Sequence, residues 1–216
     1  MYDIIIRNGK ILDGTGGPSF HADIAVKDGK IAKVSKIIRE SAQREIDARG
    51  LTVTPGFIDS HSHNDGWVLL QPLQREKIEQ GITTSIGGQC GGSPAPYSGS
   101  REKAEQVGEF GLECDIYKDM STCLSIARTV PQGANSMVLV GHNSIRDAVM
   151  GNAFRAPTEE ELEKMKDYVR DAMEAGALGL SFGLGYNPGC YSEVPEMSAP
   201  AKVAAEYGGV VTAHIR

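Results

Sequence analysis

The stretch TVTPGFIDSHSH, residues 52–63, decides the fold of this chain. A short apolar run enters through Pro55 and Gly56 and ends in two histidines one residue apart. Successive side chains of an extended strand point to opposite faces, so His61 and His63 project to the same side. Two imidazoles at this spacing can bind one divalent cation. The alternative, a surface strand with two exposed histidines, is disfavoured by the Pro-Gly entry and the apolar run.

From residue 55 onwards, strand patterns alternate with helix patterns, which predicts βα units around a parallel sheet. The five predicted strands cover residues 56–60, 83–87, 136–140, 178–182 and 210–213. The best-supported helix lies before the fourth strand. A capping box of Thr158 and Glu161 predicts its start, and Gly176 predicts its end.

Each predicted strand is followed by residues that can bind metal or donate hydrogen bonds. In chain order they are His61 and His63, Cys90, His142 and Asn143, Tyr186, and His214 and Arg216. A (β/α)8 barrel builds its active site from the loops at the carboxyl ends of its strands, so this recurrence predicts a barrel. A full barrel needs about 250 residues. Because residues 55–216 carry only five units, the sequence predicts an incomplete TIM-type barrel from the N-terminal part of a longer enzyme.

Residues 1–54 are predicted to form a separate β domain before the barrel part, 55–216. The dipeptides Asn8-Gly9 and Asp28-Gly29 lie between strand-like runs and favour the positive φ angles of tight turns, so two hairpins are expected. A third strand is expected near residues 44–48. His21 is expected on the surface of this sheet.

The composition excludes several classes of function. The chain is 40% hydrophobic and 23% charged with a net charge of −6, and it has no cluster of Lys and Arg that could follow a phosphate backbone. No apolar run reaches the roughly 18 residues of a membrane span, and the start lacks the pattern of a signal peptide. The four cysteines, at 90, 114, 123 and 190, form no CxxC pair. We therefore predict a cytoplasmic protein with reduced thiols that binds neither nucleic acid nor membrane.

Several motifs together resemble one family. GITTSIGGQCGGSPAP at 81–96 is similar to the D-aminoacylase (N-acyl-D-amino acid deacylase) branch of the amidohydrolase superfamily, and residues 52–63 resemble the first barrel strand of that superfamily. GHNSIR at 141–146, GALGLSFGLGYNPG at 176–189 and GGVVTAHIR at 208–216 also look like motifs of this branch. The resemblance covers nearly the whole chain. It implies that the N-terminal β region is half of a sandwich that a C-terminal segment completes; the alternative is a segment that only packs against the barrel.

The resemblance also implies a metal centre with one or two zinc ions. Its ligands would be His61, His63, Cys90 and His214, the cysteine standing where many relatives use a carboxylated lysine. A thiolate is a good zinc ligand, and zinc binding lowers the pKa of a thiol. A further histidine ligand and the aspartate that acts as general acid/base would follow Arg216. The catalytic residue of this chain is therefore unknown, and the chain alone is predicted to be inactive.

The implied reaction is metal-dependent hydrolysis of N-acyl-D-amino acids to a carboxylate and a free D-amino acid. The candidate contacts of this small-molecule substrate are Tyr186, His142, Asn143, Arg146 and Arg216. Each has a structural alternative, such as a tyrosine that only covers the barrel rim or an arginine in an ion pair. The open edges of an incomplete barrel further predict self-association.

Two other functions remain open. A cyclic amidohydrolase, such as a dihydroorotase or hydantoinase, commonly carries an arginine shortly after the second histidine or a lysine in the fourth strand. This chain instead has Asn64 and Asp65 after His63, and residues 178–182 contain no lysine. The second alternative is a non-catalytic scaffold that kept the barrel and lost its metal, which the four retained candidate ligands argue against.

Overall fold

The computed structural model describes residues 1–97 and 117–216. Within these residues the chain divides into two compact units, Met1–Gly56 and Phe57–Arg216. Cys114 lies outside the described residues. None of the described helices combines the length and the hydropathy that a membrane span requires.

The N-terminal unit contains one mixed sheet. Its strands are β1 (Tyr2–Ile11), β2 (Phe20–Lys27), β3 (Lys30–Ser35), β4 (Ala42–Asp47) and β5 (Thr52–Val53). The order is β3-β2-β1-β4, with β5 also pairing with β1. Strand β1 is antiparallel to β2 but parallel to β4 and β5. The predicted third strand near residues 44–48 is confirmed as β4, and His21 is exposed as expected.

One of the two predicted hairpins is wrong. Strand β1 runs through Asn8-Gly9 and keeps pairing with β2, with a shift of register at the dipeptide. Asn8 has a φ of 61°, and its N–H donates to the Asp23 carboxylate at 2.9 Å, so its positive φ makes a bulge rather than a turn. The other hairpin is confirmed, because Asp28 and Gly29, with φ angles of 51° and 71°, join β2 to β3.

The second unit is built on a parallel sheet. Its strands are β6 (Phe57–Asp59), β7 (Ile82–Gly87), β8 (Asn135–Gly141), β9 (Gly179–Gly183) and β10 (Val210–His214). They are hydrogen-bonded in chain order, from β6 at one edge to β10 at the other. All five predicted strands are confirmed to within one residue at each end. The fold class, an incomplete (β/α)8-type barrel after a separate β region, is confirmed.

Helices connect and cover these strands. Those described are α1 (Trp67–Leu70), α2 (Arg75–Ile78), α3 (Met120–Ala127), α4 (His142–Met150), α5 (Glu159–Ala175) and α6 (Val194–Glu206), with a 3-10 turn at Gly189–Tyr191. The core includes Val140 and Leu180 from the sheet, Ile145 from α4, and Met165 and Val169 from α5, all fully buried. Burying a side chain of this size stabilises a fold by about 1.5–3 kcal/mol.

Helix α5 begins and ends as its sequence predicts. The Thr158 hydroxyl accepts a hydrogen bond from the Glu161 N–H at 3.2 Å, and the Glu161 carboxylate accepts one from the Thr158 N–H at 2.8 Å. Gly176 ends the helix with a φ of 100°. Hydrogen bonds from the Arg155 guanidinium and then from the Thr158 N–H lower the pKa of Glu161 to about 2.

The two edge strands of the parallel sheet carry exposed apolar side chains. On β6 these are Phe57 and Ile58, and on β10 they are Val210 and Val211, each between 47% and 66% exposed. An edge with free backbone groups and apolar side chains is a template for pairing with another chain. Self-association through these edges stays a prediction.

Candidate metal centre

Side chains from three strand ends meet at the carboxyl edge of the parallel sheet. The ligand atoms of His61, His63 and Cys90 all lie within 4.8 Å of one another. Cys90 Sγ lies 3.3 Å from His61 Nε2 and 3.6 Å from His214 Nδ1. His61 follows β6 and His214 ends β10, and these two strands stand at opposite edges of the sheet. Both histidines can reach one thiol only because the sheet curls.

The distances from the Cys90 thiol to His61 and His214 fit neighbouring ligands of a tetrahedral zinc ion, whereas the ligand atom of His63 is placed only within 4.8 Å of those of His61 and Cys90. Zinc bonds of about 2.0–2.3 Å to nitrogen and sulfur place neighbouring ligand atoms about 3.3–3.8 Å apart. The distances from Cys90 to His61 and to His214, 3.3 and 3.6 Å, fall in this range. Thiolate and imidazole are also the donors that zinc prefers. All three histidines are exposed and Cys90 is partly exposed, so the cluster is open to solvent.

The segment after β6 holds its two histidines on one side. Ser62, between them, is buried and donates its N–H to the Ile86 carbonyl at 3.0 Å. Lys77 donates to the Ser62 hydroxyl at 3.0 Å and also binds the Asp59 carboxylate. The hydrogen bond from Lys77 lowers the pKa of Asp59, against a smaller opposing effect of burial. The contacts of Ser62 on the buried side of this segment therefore keep His61 and His63 together on its exposed side, as the alternation of side chains predicts.

Cys90 adopts a backbone conformation that few non-glycine residues adopt. Its φ is 55°, in the left-handed region, which costs about 1–3 kcal/mol at a non-glycine residue. The glycines around it allow close approach of other strands. A Cβ on Gly91 would lie 2.5 Å from the Gly183 nitrogen, and a Cβ on Gly183 would lie 2.0 Å from the Cys90 carbonyl oxygen. The glycine-rich motif thus lets the thiol-bearing turn pack against the end of β9.

Asp65 lies beside the same glycine-rich turn. Its carboxylate accepts the N–H of Gly88. Burial raises the pKa of Asp65, although the hydrogen bond from Gly88 and the nearby His63 oppose this effect. A Cβ on Gly87 would overlap this carboxylate.

Tyr186 and Asn143, two predicted substrate contacts, lie at the β9 and β10 side of the cluster. The Tyr186 hydroxyl is 3.3 Å from His214 Nδ1, and the two ring centroids are 4.6 Å apart. Asn143 is buried and donates to the carbonyls of Gly183 at 3.0 Å and of Tyr186 at 3.4 Å. Asn143 therefore holds the turn that carries Tyr186, while the tyrosine itself is 48% exposed beside the ligands.

His142 and Arg146 lie elsewhere, in a group that we call the buried polar cluster: His142, Arg146, Ser192 and Glu196. Oε1 of Glu196 accepts hydrogen bonds from Arg146 Nε and from the Ser192 hydroxyl, both at 2.9 Å. His142 Nε2 lies 3.2 Å from the same oxygen, but without hydrogen-bonding geometry. Burial alone would raise the pKa of Glu196, but the nearby His142, Ser192 and Arg146 outweigh it and hold that pKa below its usual value.

The remaining contacts of the buried polar cluster are also internal. Both His142 and Arg146 are 0% exposed. Arg146 donates from its two terminal nitrogens to the carbonyls of Ala153 at 3.1 Å and Arg155 at 2.8 Å. The His142 ring packs against Phe182, with centroids 5.0 Å apart. Substrate binding by His142 and Arg146 stays a prediction, and these contacts favour a structural role instead.

Arg216 also donates to the protein itself. One terminal nitrogen donates to the Ser192 carbonyl at 2.6 Å and to the Cys190 carbonyl at 3.4 Å. These acceptors are backbone oxygens rather than the carboxylate of an ion pair. Binding of a substrate carboxylate by Arg216 stays a prediction.

Four polar residues that organise this unit were not predicted from the sequence. Glu196 is one, and no sequence signal connects this helix α6 residue to α4. The others are Gln89, Ser181 and Thr212, which lie behind the candidate ligands and hydrogen-bond one segment to another. Gln89 and Ser181 are buried. Gln89, Ser181 and Thr212 lie next to or between motif residues. This position could have identified them from the sequence, because a buried polar side chain must find a partner.

Comparison with known proteins identifies relatives along the whole chain. Curated relatives from Alcaligenes xylosoxydans xylosoxydans are a D-aminoacylase, 33% identical over 100% of this chain, and an N-acyl-D-glutamate deacylase, 37% identical over 99% of it. This chain spans 44% of the length of each of these relatives. Among solved structures, the N-acyl-D-glutamate deacylase from Bordetella bronchiseptica, complexed with zinc and a phosphonate inhibitor that mimics the tetrahedral intermediate, matches with a TM-score of 0.90. It is 38% identical, and the match covers 100% of this chain and 45% of that one.

The sequence profile described as the amidohydrolase family matches residues 44–214. This range includes every strand of the parallel sheet and all four candidate metal ligands. The chain belongs to the amidohydrolase family.

Proposed function

We propose that this chain forms the zinc-binding part of an enzyme that hydrolyses N-acyl-D-amino acids to a carboxylate and a free D-amino acid. The observation that carries the proposal is the meeting of His61, Cys90 and His214 from three strand ends, at distances that suit zinc. The relatives named D-aminoacylase and N-acyl-D-glutamate deacylase, and the zinc in the related solved structure, support it.

We propose His61, His63, Cys90 and His214 as ligands of one or two zinc ions. Zinc, when bound, lowers the pKa of water from about 15.7 towards 7 and polarises a scissile carbonyl. The residues of this chain would hold the ion at the carboxyl edge of the sheet, where the cluster is open to solvent and a small substrate can approach. Tyr186 lies beside His214 with half of its surface exposed, so it is placed to contact a substrate at the ligands.

The domain organisation that we propose is a β domain at 1–54 followed by part of a barrel at 55–216. The division of the described chain at Gly56 supports a boundary near this position. We further propose a cytoplasmic location. The described cysteines at 90, 123 and 190 are free thiols, which suits a reducing compartment.

The zinc site can be tested by measuring metal bound to the purified chain. We expect the wild-type chain to retain one or two zinc ions and Cys90→Ser to lose most of that zinc. Cys190→Ser is the matched control, because Cys190 is also a partly exposed free thiol but lies outside the candidate ligands. Equal zinc in the Cys90→Ser and wild-type proteins would contradict the proposed ligand set.

The reaction can be tested with matched enantiomers. N-acetyl-D-amino acids, their L-enantiomers and dihydroorotate are assayed with the 216-residue chain and, where the encoding reading frame continues, with its full product. We expect the 216-residue chain alone to be inactive. In the full product we expect hydrolysis of the D-enantiomer to exceed that of the L-enantiomer by about 100-fold, since an anchored substrate presents its amide correctly in one hand only. Equal rates would leave only a general amide hydrolase, and turnover of dihydroorotate would favour a cyclic amidohydrolase.

A further inference from the structure

Gln89 belongs to one of the three segments that carry candidate ligands, and its side chain hydrogen-bonds to the other two. It is 3% exposed and directly precedes Cys90. Its side-chain Nε2 donates to the Ser60 carbonyl at 2.9 Å, and its Oε1 accepts from the Thr212 hydroxyl at 3.1 Å. Ser60 directly precedes His61, and Thr212 lies two residues before His214. One amide therefore links the backbone before the first ligand to the strand that carries the last.

The backbone of the sheet does not provide this link. Strands β6 and β10 are separated by β7, β8 and β9, and the described strands pair only with their neighbours in that order. The distance between the ends of β6 and β10 therefore depends on the curl of the sheet and on side chains across its inner face. Gln89 spans this face, with a protein partner at each end of its amide.

Ser181 of β9 holds the same turn from another side. Its hydroxyl accepts the Gly91 N–H at 3.0 Å and donates to the Gly88 carbonyl, and the side chain is fully buried. The Ser181 hydroxyl oxygen of β9 thus binds residues 88 and 91, which lie on either side of Gln89 and Cys90. This contact keeps Cys90 in its left-handed conformation and leaves Gln89 pointing across the sheet.

We propose that Gln89 is a positioning residue of the metal centre, which sets the separation of His61 and His214 around the Cys90 thiol. The inference rests on the proposed zinc site. A glutamine suits this position because it donates at one end and accepts at the other. A glutamate would set a carboxylate against the Ser60 carbonyl, and a methionine of similar size would make neither hydrogen bond.

The expected consequence is a change in metal binding with the fold retained. Outer partners of metal ligands typically change metal affinity by about 10–100-fold when they are removed. We expect Gln89→Met to weaken metal binding within this range. We expect Thr212→Val, which removes one of the two hydrogen bonds, to weaken it by less, and Thr212→Ser, which keeps the hydroxyl, to bind as the wild type does.

The test is a titration of the full chain with Cd²⁺, monitored by the ultraviolet charge-transfer absorption of a thiolate bound to cadmium. The part of this band that is lost in Cys90→Ser reports the bond to Cys90, and it does not depend on turnover. Thermal melting of each metal-free variant shows whether it folds. Ser192→Ala is the matched control, because Ser192 is a buried hydroxyl whose partner is Glu196 rather than a ligand-bearing segment.

The outcomes separate the inference from the proposal on which it rests. Weaker binding and an altered band in Gln89→Met, with Ser192→Ala unchanged, support the positioning role. A folded Gln89→Met with the wild-type affinity and band overturns it. If Gln89→Met does not fold, equal binding by Thr212→Val and Thr212→Ser overturns it instead. A wild-type chain without a thiolate band, binding cadmium no better than Cys90→Ser, would refute the metal site itself.

Discussion

The candidate metal centre and the buried polar cluster both begin with a histidine that follows a strand of the same sheet, yet their surroundings are opposite. His61 is exposed after β6, and its Nε2 lies 3.3 Å from the Cys90 thiol. His142 follows β8 and is 0% exposed, and neither of its ring nitrogens has a hydrogen-bond partner among the described residues. The same residue type at equivalent points of two βα units therefore has two different environments.

The difference arises from what the chain does after the strand. After β6 the backbone continues without helix through His61 and His63, so alternate side chains stay at the carboxyl edge. After β8 the helix starts at once, and His142 is the first residue of α4. The helix buries His142 against Phe182 and brings Arg146, one turn later, to the same Glu196. In this chain, the histidine after β6 can reach the candidate site because no helix begins there, whereas the helix after β8 buries His142.

The largest effect on stability is expected from Glu196→Ala. The change leaves the buried Arg146 guanidinium without its carboxylate, and removal of one partner of a buried ion pair costs about 3–5 kcal/mol. The free energy of unfolding is measured by urea titration. Glu193→Ala, at the exposed N-cap of the same helix, where the side chain makes no capping hydrogen bond, is the control and should change it by no more than about 1 kcal/mol. A Glu196→Ala protein as stable as this control would contradict the structural role of the buried polar cluster, which distinguishes it from the candidate metal centre.

A second prediction applies the same substitution to both histidines. His61→Leu should lower zinc affinity by at least about 100-fold, because losing a ligand costs no less than losing an outer partner. His142→Leu should leave zinc affinity unchanged and lower the free energy of unfolding by about 1–3 kcal/mol, because it removes the imidazole that lies 3.2 Å from the buried Glu196 carboxylate. Isothermal titration with zinc and thermal melting test the two expectations. An equal loss of zinc affinity in both variants would show that the two regions act as one site.

The third prediction compares thiols by their reactivity. Burial, with smaller effects of Asp65 and Asp119, raises the pKa of Cys123 to about 12, so only about 1 in 10,000 of these thiols is ionised at pH 8. Cys90 is partly exposed. Mass spectrometry after iodoacetamide treatment should find Cys90 alkylated in the metal-free chain, protected by zinc, and Cys123 alkylated only after unfolding. Rapid labelling of Cys123 in the folded chain would contradict its burial.

The smallest effect concerns the partly exposed ion pair next to the buried polar cluster. Arg155, whose carbonyl accepts from Arg146, binds Glu161 through two hydrogen bonds of 2.6 and 2.7 Å. The pKa of Glu161 falls from 4.5 to about 2 in the folded chain, so this stabilisation is fully present above pH 4.5 and is lost as the pH falls through about 2. Glu161→Gln should slightly lower the melting temperature at neutral pH and match the wild type near pH 2. A difference in melting temperature between Glu161→Gln and the wild type that grows as the pH falls would contradict this prediction.

Strand positions and helix ends were largely predictable from local sequence. The five parallel strands lie within one residue of their predicted ranges, and α5 has the predicted capping box and glycine stop. The Asn8-Gly9 dipeptide shows the limit of such signals. Its positive φ was predicted, but only the pairing of β1 with β2 decides that this φ serves a bulge. The local sequence limits the backbone angles of the dipeptide, whereas the pairing of the strands decides whether those angles form a turn or a bulge.

The sequence by itself determined the βα pattern and the alternation that turns His61 and His63 to one side. These features depend on neighbours within a few positions, where backbone geometry is nearly fixed. Only the tertiary structure decided that His214 comes within 3.6 Å of Cys90, that Gln89 connects Ser60 to Thr212, and that His142 and Arg146 are buried with Glu196. These contacts join residues 29 to 124 positions apart. They follow from the curl of the sheet and the packing of helices, which no local pattern specifies.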